Sequence, residues 1–121
     1  MSNMATPSVM LCQRDALPEQ GARGFDPEGT GQDTLFLVRQ GQDVYGWRDA
    51  CPHMDGAAMA WRKDAYLSGD GRFIVCHAHG ARFDIRTGQC LLGPCEGDSL
   101  TPVPLHIDAA GAIHITRGDR A

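Results

Sequence analysis

Apolar and polar positions alternate along this chain in short bursts, and most bursts end at a turn. "SVMLCQ" (8–13) reads as a first strand, whereas "RDALPEQGARGFDPEGTGQD" (14–33), rich in Gly, Pro and acids and without a sustained period, reads as loop. "TLFLVRQGQDVYGWRDA" sets two apolar segments around Gly41, which predicts a hairpin with Val44, Tyr45 and Trp47 on a half-buried strand. "YLSGDGRFIVC" predicts two short strands about a Gly-Asp-Gly turn, and "ARFDIRTGQCLL" repeats the form with Thr87-Gly88 at its turn. "PLHIDAAGAIHIT" predicts a closing hairpin, alternating through Leu105 and Ile107 and then Ala112, Ile113 and Ile115. A short turn around residues 57–63 is the only helical signal. The pattern predicts an all-β protein, an antiparallel sandwich or small barrel of about eight to ten strands.

Composition narrows this picture. A length of 121 residues allows one domain with a real core and is too short for two of ordinary size, so residues 1–121 are expected to form a single domain. The 15 Gly and 7 Pro favour turns and short strands over helices. A formal charge of -4 argues against nucleic acid or anionic membrane as the main partner, because phosphate recognition needs a surplus of Lys and Arg on one face. The N-terminal stretch lacks a cationic start followed by an apolar run, and no stretch approaches a membrane span, so a cytoplasmic location is expected. In that setting the 5 Cys read as metal ligands or free thiols rather than as a disulfide framework.

Two of the cysteines have histidine company. "DACPHMDG" carries Cys51-x-His53, "VCHAHGARFD" carries Cys76-x-x-His79, and each pair follows a predicted hairpin. Structural zinc sites usually pair like with like in each half, whereas each half here holds one thiol and one imidazole. That mixture suits a binuclear centre in which the two thiolates hold one iron and the two imidazoles the other. A mononuclear zinc on the same four ligands is a second reading, and loop thiols beside solvated histidines a third.

Taken together, "CPH", "CHAHGARFDIRTG" and "LGP" resemble the Rieske [2Fe-2S] family, and in particular the small soluble ferredoxins that serve bacterial oxygenases. The resemblance runs from about Thr34 to the end of the chain and includes the third loop at Gly93-Pro94. It implies a cluster-binding region over residues 51–95, formed by the two Cys/His loops and the Pro loop, holding one [2Fe-2S] cluster. Cys51 and Cys76 would bind an inner iron, and His53 and His79 an outer iron at the surface. Two thiolates neutralise the oxidised core, so the reduced site carries one negative charge, and the neutral imidazoles raise the potential above that of plant-type ferredoxins. Pro94 would shield the cluster, and Gly56 and Gly80 would let backbone N–H groups approach it. The high-potential branch adds a loop-to-loop disulfide and Ser and Tyr hydroxyls. Here Gly56 stands in the first loop without a nearby Cys, and Ala81 and Phe83 occupy the hydroxyl positions. The expected potential therefore lies at the low end, about -150 mV or lower. The 22 residues from Met54 to Val75 make a longer connection than the family commonly has, a difference that loop closure tolerates at little cost.

The remaining candidates read more plainly. His77, His106 and His114 are expected at the surface, Cys12 in a strand, and Trp47 and Trp61 in or near the core. Cys90 and Cys95 in "CLLGPC" are expected as two free thiols rather than a disulfide. The function implied is that of a one-electron carrier, not an enzyme, taking electrons from a flavin reductase and docking on an oxygenase or related acceptor. A small-molecule substrate site is not evident, and there is no 2-His-1-carboxylate motif of a complete oxygenase. The alternative is a permanently bound small Rieske subunit of an oxygenase or nitrite reductase-like complex.

Overall fold

The computed structural model describes residues 8–50, 64, 66–76, 80–93 and 98–116. Among them lie nine strands: β1 (Ser8–Gln13), β2 (Gly21–Phe25), β3 (Leu35–Gln40), β4 (Asp43–Arg48), β5 (Phe73–Cys76), β6 (Ala81–Asp84), β7 (Cys90–Leu92), β8 (His106–Ile107) and β9 (Ala112–Thr116). One 3-10 turn, Arg14–Ala16, follows β1. The strands form three antiparallel sheets in the orders β1-β9-β8, β2-β3-β4 and β5-β6-β7.

β3 explains why three sheets make one body. Its run "LFLVR" is buried throughout, as expected for a strand covered on both faces. Leu35 and Leu37 point into one apolar cluster with Cys12, Leu17, Phe25, Ile113 and Ile115. Phe36 and Val38, one residue out of step, point into the other, with Trp47, Tyr66, Ile74, Cys76, Phe83 and Cys90. The sheet β2-β3-β4 is thus the middle layer. Burying side chains of this size contributes about 1.5–3 kcal/mol each.

The predicted hairpins at 35–48, 81–92 and 106–116 are present, and β1 forms over the predicted residues. Two expectations need correction. The run 14–33 is not all loop: β2 lies within it and pairs with β3 along its length, from Gly21↔Arg39 to Phe25↔Leu35. Its "GARGF" lacks alternation because Gly24 serves close approach. A side chain at 24 would collide with the Asp33 carboxylate and lie 2.6 Å from the Tyr66 hydroxyl. Leu17, in the same run, is only 1% exposed. The hairpin expected in "YLSGDGRFIVC" has only one strand, since its first arm is reduced to the single bridge Leu67↔Ile74. Tyr66 there turns inward and stacks on Phe36, with ring centres 4.1 Å apart. The helical turn expected around 57–63 and Trp61 lie outside the described residues.

A candidate metal centre built on the third sheet

Period-two alternation across β5, β6 and β7 sorts one face for burial. Ile74, Cys76, Ala81, Phe83 and Cys90 point inward, none more than 3% exposed, and the register pairs Ile74 with Phe83, Cys76 with Ala81 and Phe83 with Cys90. Cys76 is the last residue of β5, fully buried, on an apolar floor. The Cys76↔Ala81 pair closes the connection 77–80, and the Gly80 N–H donates to the Cys76 carbonyl at 2.8 Å. Gly80 holds φ at +68°, a left-handed conformation in which glycine carries no side-chain penalty.

The third loop starts against this floor. Gly93 has φ +116°, and a Cβ there would stand 3.0 Å from both Cα and Cβ of Ala81. Only glycine at 93 beside alanine at 81 lets the chain after β7 leave so close to the chain returning from Cys76. Cys90 is a buried free thiol, and its Sγ lies 3.6 Å from the Leu92 carbonyl as a weak donor. That agrees with the thiol expected at 90, while Cys95 and Pro94 lie outside the described residues. Cys12 is a buried free thiol, and burial raises its pKa above the usual thiol value, so it stays protonated and inert.

Of the four expected ligands, Cys51, His53 and His79 lie outside the described residues, as do His77 and Gly56. The two ends of the first loop are described, and both are fastened. Asp49, just before the loop, accepts a hydrogen bond from the Tyr66 hydroxyl at 2.7 Å, and its backbone N–H donates to the Thr34 carbonyl at 3.0 Å. Asp64, just after it, has φ +65° and accepts at Oδ1 from the Gly24 N–H at 2.8 Å. Tyr66 is only 1% exposed. Burial first, then the bond to Asp49 and the charges of Asp49, Asp33 and Asp64, push its pKa far above the usual tyrosine value. The neutral phenol is therefore a permanent donor at the root of the loop.

Sequence reasoning missed this frame. Tyr66 and Asp49 are 17 positions apart, and the only local signal was an aromatic residue isolated in the polar stretch "RKDAYLSG".

This arrangement fits a [2Fe-2S] centre. It offers a buried sulfur on a floor of small and apolar side chains and a positive-φ glycine after it. A third strand ends in glycine against the same spot, and both ends of the Cys51/His53 segment are fixed.

Comparison with known proteins agrees. Residues 8–106 match the family model described as the Rieske [2Fe-2S] domain. The chain is 29% identical over 100 residues to the 3-phenylpropionate/cinnamic acid dioxygenase ferredoxin subunit of Escherichia coli (strain K12), covering 83% of this chain and 85% of that protein. The ferredoxin of carbazole 1,9a-dioxygenase from Nocardioides aromaticivorans IC177 superposes with a TM-score of 0.68 at 26% identity, over 90% of this chain and 96% of that one. In fold alone, the chain also matches a structure of the complex of reduced oxygenase and oxidised ferredoxin in carbazole 1,9a-dioxygenase, with a TM-score of 0.69 at 22% identity over 92% of this chain and 94% of that one. The chain belongs to the Rieske [2Fe-2S] domain family: it carries one Rieske-type [2Fe-2S] cluster and works as an electron carrier rather than as an enzyme.

Proposed function

We propose that Cys51 and Cys76 hold the inner iron, that His53 and His79 hold the outer iron, and that residues 1–121 act as one domain whose 51–95 region is the cluster-binding part. The observation that carries this reading is the position of Cys76, fully buried at the end of β5 with Gly80 and Gly93 closing in behind it. When bound, the cluster accepts and returns a single electron. The buried Cys76 keeps its sulfur out of water. The fastened ends of the first loop, at Asp49 and Asp64, support the assignment of Cys51 and His53 to the same centre.

We further infer that a flavin reductase supplies the electron and that an oxygenase or related acceptor takes it. The supporting facts are that the relative in Escherichia coli is named as a dioxygenase ferredoxin subunit and that a protein of this fold is known in complex with an oxygenase. Only three large apolar side chains, Met10, Leu91 and Leu92, are well exposed among the described residues. That supports a carrier that docks and leaves over a permanently bound subunit. We infer a cytoplasmic location for this exchange of electrons.

The test is EPR on the dithionite-reduced protein with iron and zinc analysis of the same sample. The ligand reading predicts two irons per chain and the lowered average g value of a His-ligated cluster, and His79→Cys should shift both that signal and the visible spectrum. A single zinc with no signal, or an unchanged spectrum in His79→Cys, would refute it. Rapid mixing of the reduced protein with a purified oxygenase tests the acceptor separately.

A further inference from the structure

The closing hairpin brings two imidazoles and a carboxylate together on a sheet other than the one that carries Cys76. His106 on β8 and His114 on β9 are directly opposite in register, so their side chains share a face, and their ring centres are 6.1 Å apart. His106 is exposed and the His114 side chain is 24% exposed. Asp108 opens the turn between the two strands, and its oxygens are divided between two tasks. Oδ1 accepts from the backbone N–H of Ala110 at 2.9 Å and of Ala112 at 3.0 Å, which fixes the carboxylate, and Oδ2 stands 3.1 Å from His114 Nε2.

A carboxylate can only accept, so His114 Nε2 carries the hydrogen and the lone pair of the neutral ring lies on Nδ1. A carboxylate on one ring nitrogen is the support that commonly orients a metal-bound imidazole and raises its basicity. Two imidazoles suit zinc, copper and nickel rather than calcium or magnesium. A nitrogen bound at about 2.0–2.1 Å puts an ion roughly 3 Å from its ring centre, so two rings can span the observed separation, and the exposed His106 is able to turn closer. Among the described residues no three His, Cys, Asp or Glu converge on one point, so a cation held by these two rings would keep water at its remaining positions.

We propose that His106 and His114 form a two-imidazole chelate for a late first-row divalent cation of the zinc class, with Asp108 positioning His114, separate from the iron centre. The test is calorimetric titration of zinc into the oxidised cluster-loaded protein, with the visible absorption of the cluster followed throughout. One zinc per chain should bind while the absorption stays constant. His106→Asn and His114→Asn should each weaken binding by about tenfold or more, and the double variant should lose much less than the two single losses multiplied, because the chelate's advantage goes with the first arm. His114→Gln provides a second route should the asparagine variant unfold, and thermal melts verify that each variant folds. Zinc bound by the double variant as tightly as by the parent, or a loss in the double variant equal to the two single losses multiplied, would overturn the proposal. So would loss of the cluster's absorption on titration, because the zinc would then be taking the iron ligands.

Discussion

Ala81 is a single small side chain on which two demands meet. It pairs with Cys76 across the hairpin, and it leaves room for Gly93 against its own Cα. The resemblance leads one to expect hydroxyls at the positions of Ala81 and Phe83 in a high-potential protein, and here both are buried apolar residues on the Cys76 face. Ala81→Ser adds one donor there with a minimal change of volume. A hydrogen bond favouring the reduced, more negative centre by about 1 kcal/mol raises a one-electron potential by about 40 mV. Voltammetry of the variant should show that rise. An unchanged potential would mean that position 81 does not reach the sulfur shell.

At the scale of elements, the hairpins were legible because turn chemistry is local. Thr87-Gly88 and Asp108–Gly111 announce themselves, and Gly88 and Gly111 take φ of +74° and +87°. β2 was not legible, since its two glycines and arginine form a strand only because the edge of β3 offers a ladder. The cluster motif was legible from two Cys and two His at characteristic spacing, while the fastening of its first loop was not. Tyr66, Asp49, Asp64 and Gly24 come together only after the sheets pack.

That fastening has a pH signature. The unfolded chain releases the tyrosine proton near pH 10, and the folded chain holds it to higher pH because Tyr66 is buried and faces Asp49, Asp33 and Asp64. Between those values the unfolded state binds fewer protons, so the contribution of Tyr66 is complete below about pH 10 and declines above it. Tyr66→Phe keeps the stack on Phe36 and loses the bond to Asp49, at a cost of about 1 kcal/mol near neutrality. Melting temperatures of the two proteins should differ at pH 8 and converge toward pH 11. A constant gap would show that the phenol ionises freely in the folded protein.

Over the whole molecule, one segment joins the second sheet to the third. The Cys90 N–H donates to the Asp98 carbonyl and the Leu100 N–H to Gly88, after which Arg48 N–H donates to Thr101 and Val103 N–H to Gly46. Residues 98–103 are thus hydrogen-bonded first to the β7 side and then to β4. Trp47 fills the seam. It is 5% exposed, its Nε1 donates to the Ile85 carbonyl at 3.2 Å, and its ring lies so near Gly88 that a Cβ there would be 2.6 Å from Cζ3. Trp47→Ala removes the ring from between two sheets and should cost about 3–5 kcal/mol in chemical denaturation. The same variant should lose iron at lower denaturant than the parent. Iron retained after the fold has melted would mean that the cluster site stands without this seam.

The frame around Tyr66 also bears on how such a chain diversifies. Every anchor described for the first loop, Asp49, Asp64, Tyr66 and Gly24, sits outside residues 51–63. Selection can therefore lengthen, shorten or recombine the stretch beyond the first Cys/His pair as an interchangeable cassette while its sockets stay the same. Two carriers with the same socket residues can present different faces to their clients, and a graft between them needs matching at two ends rather than a new core.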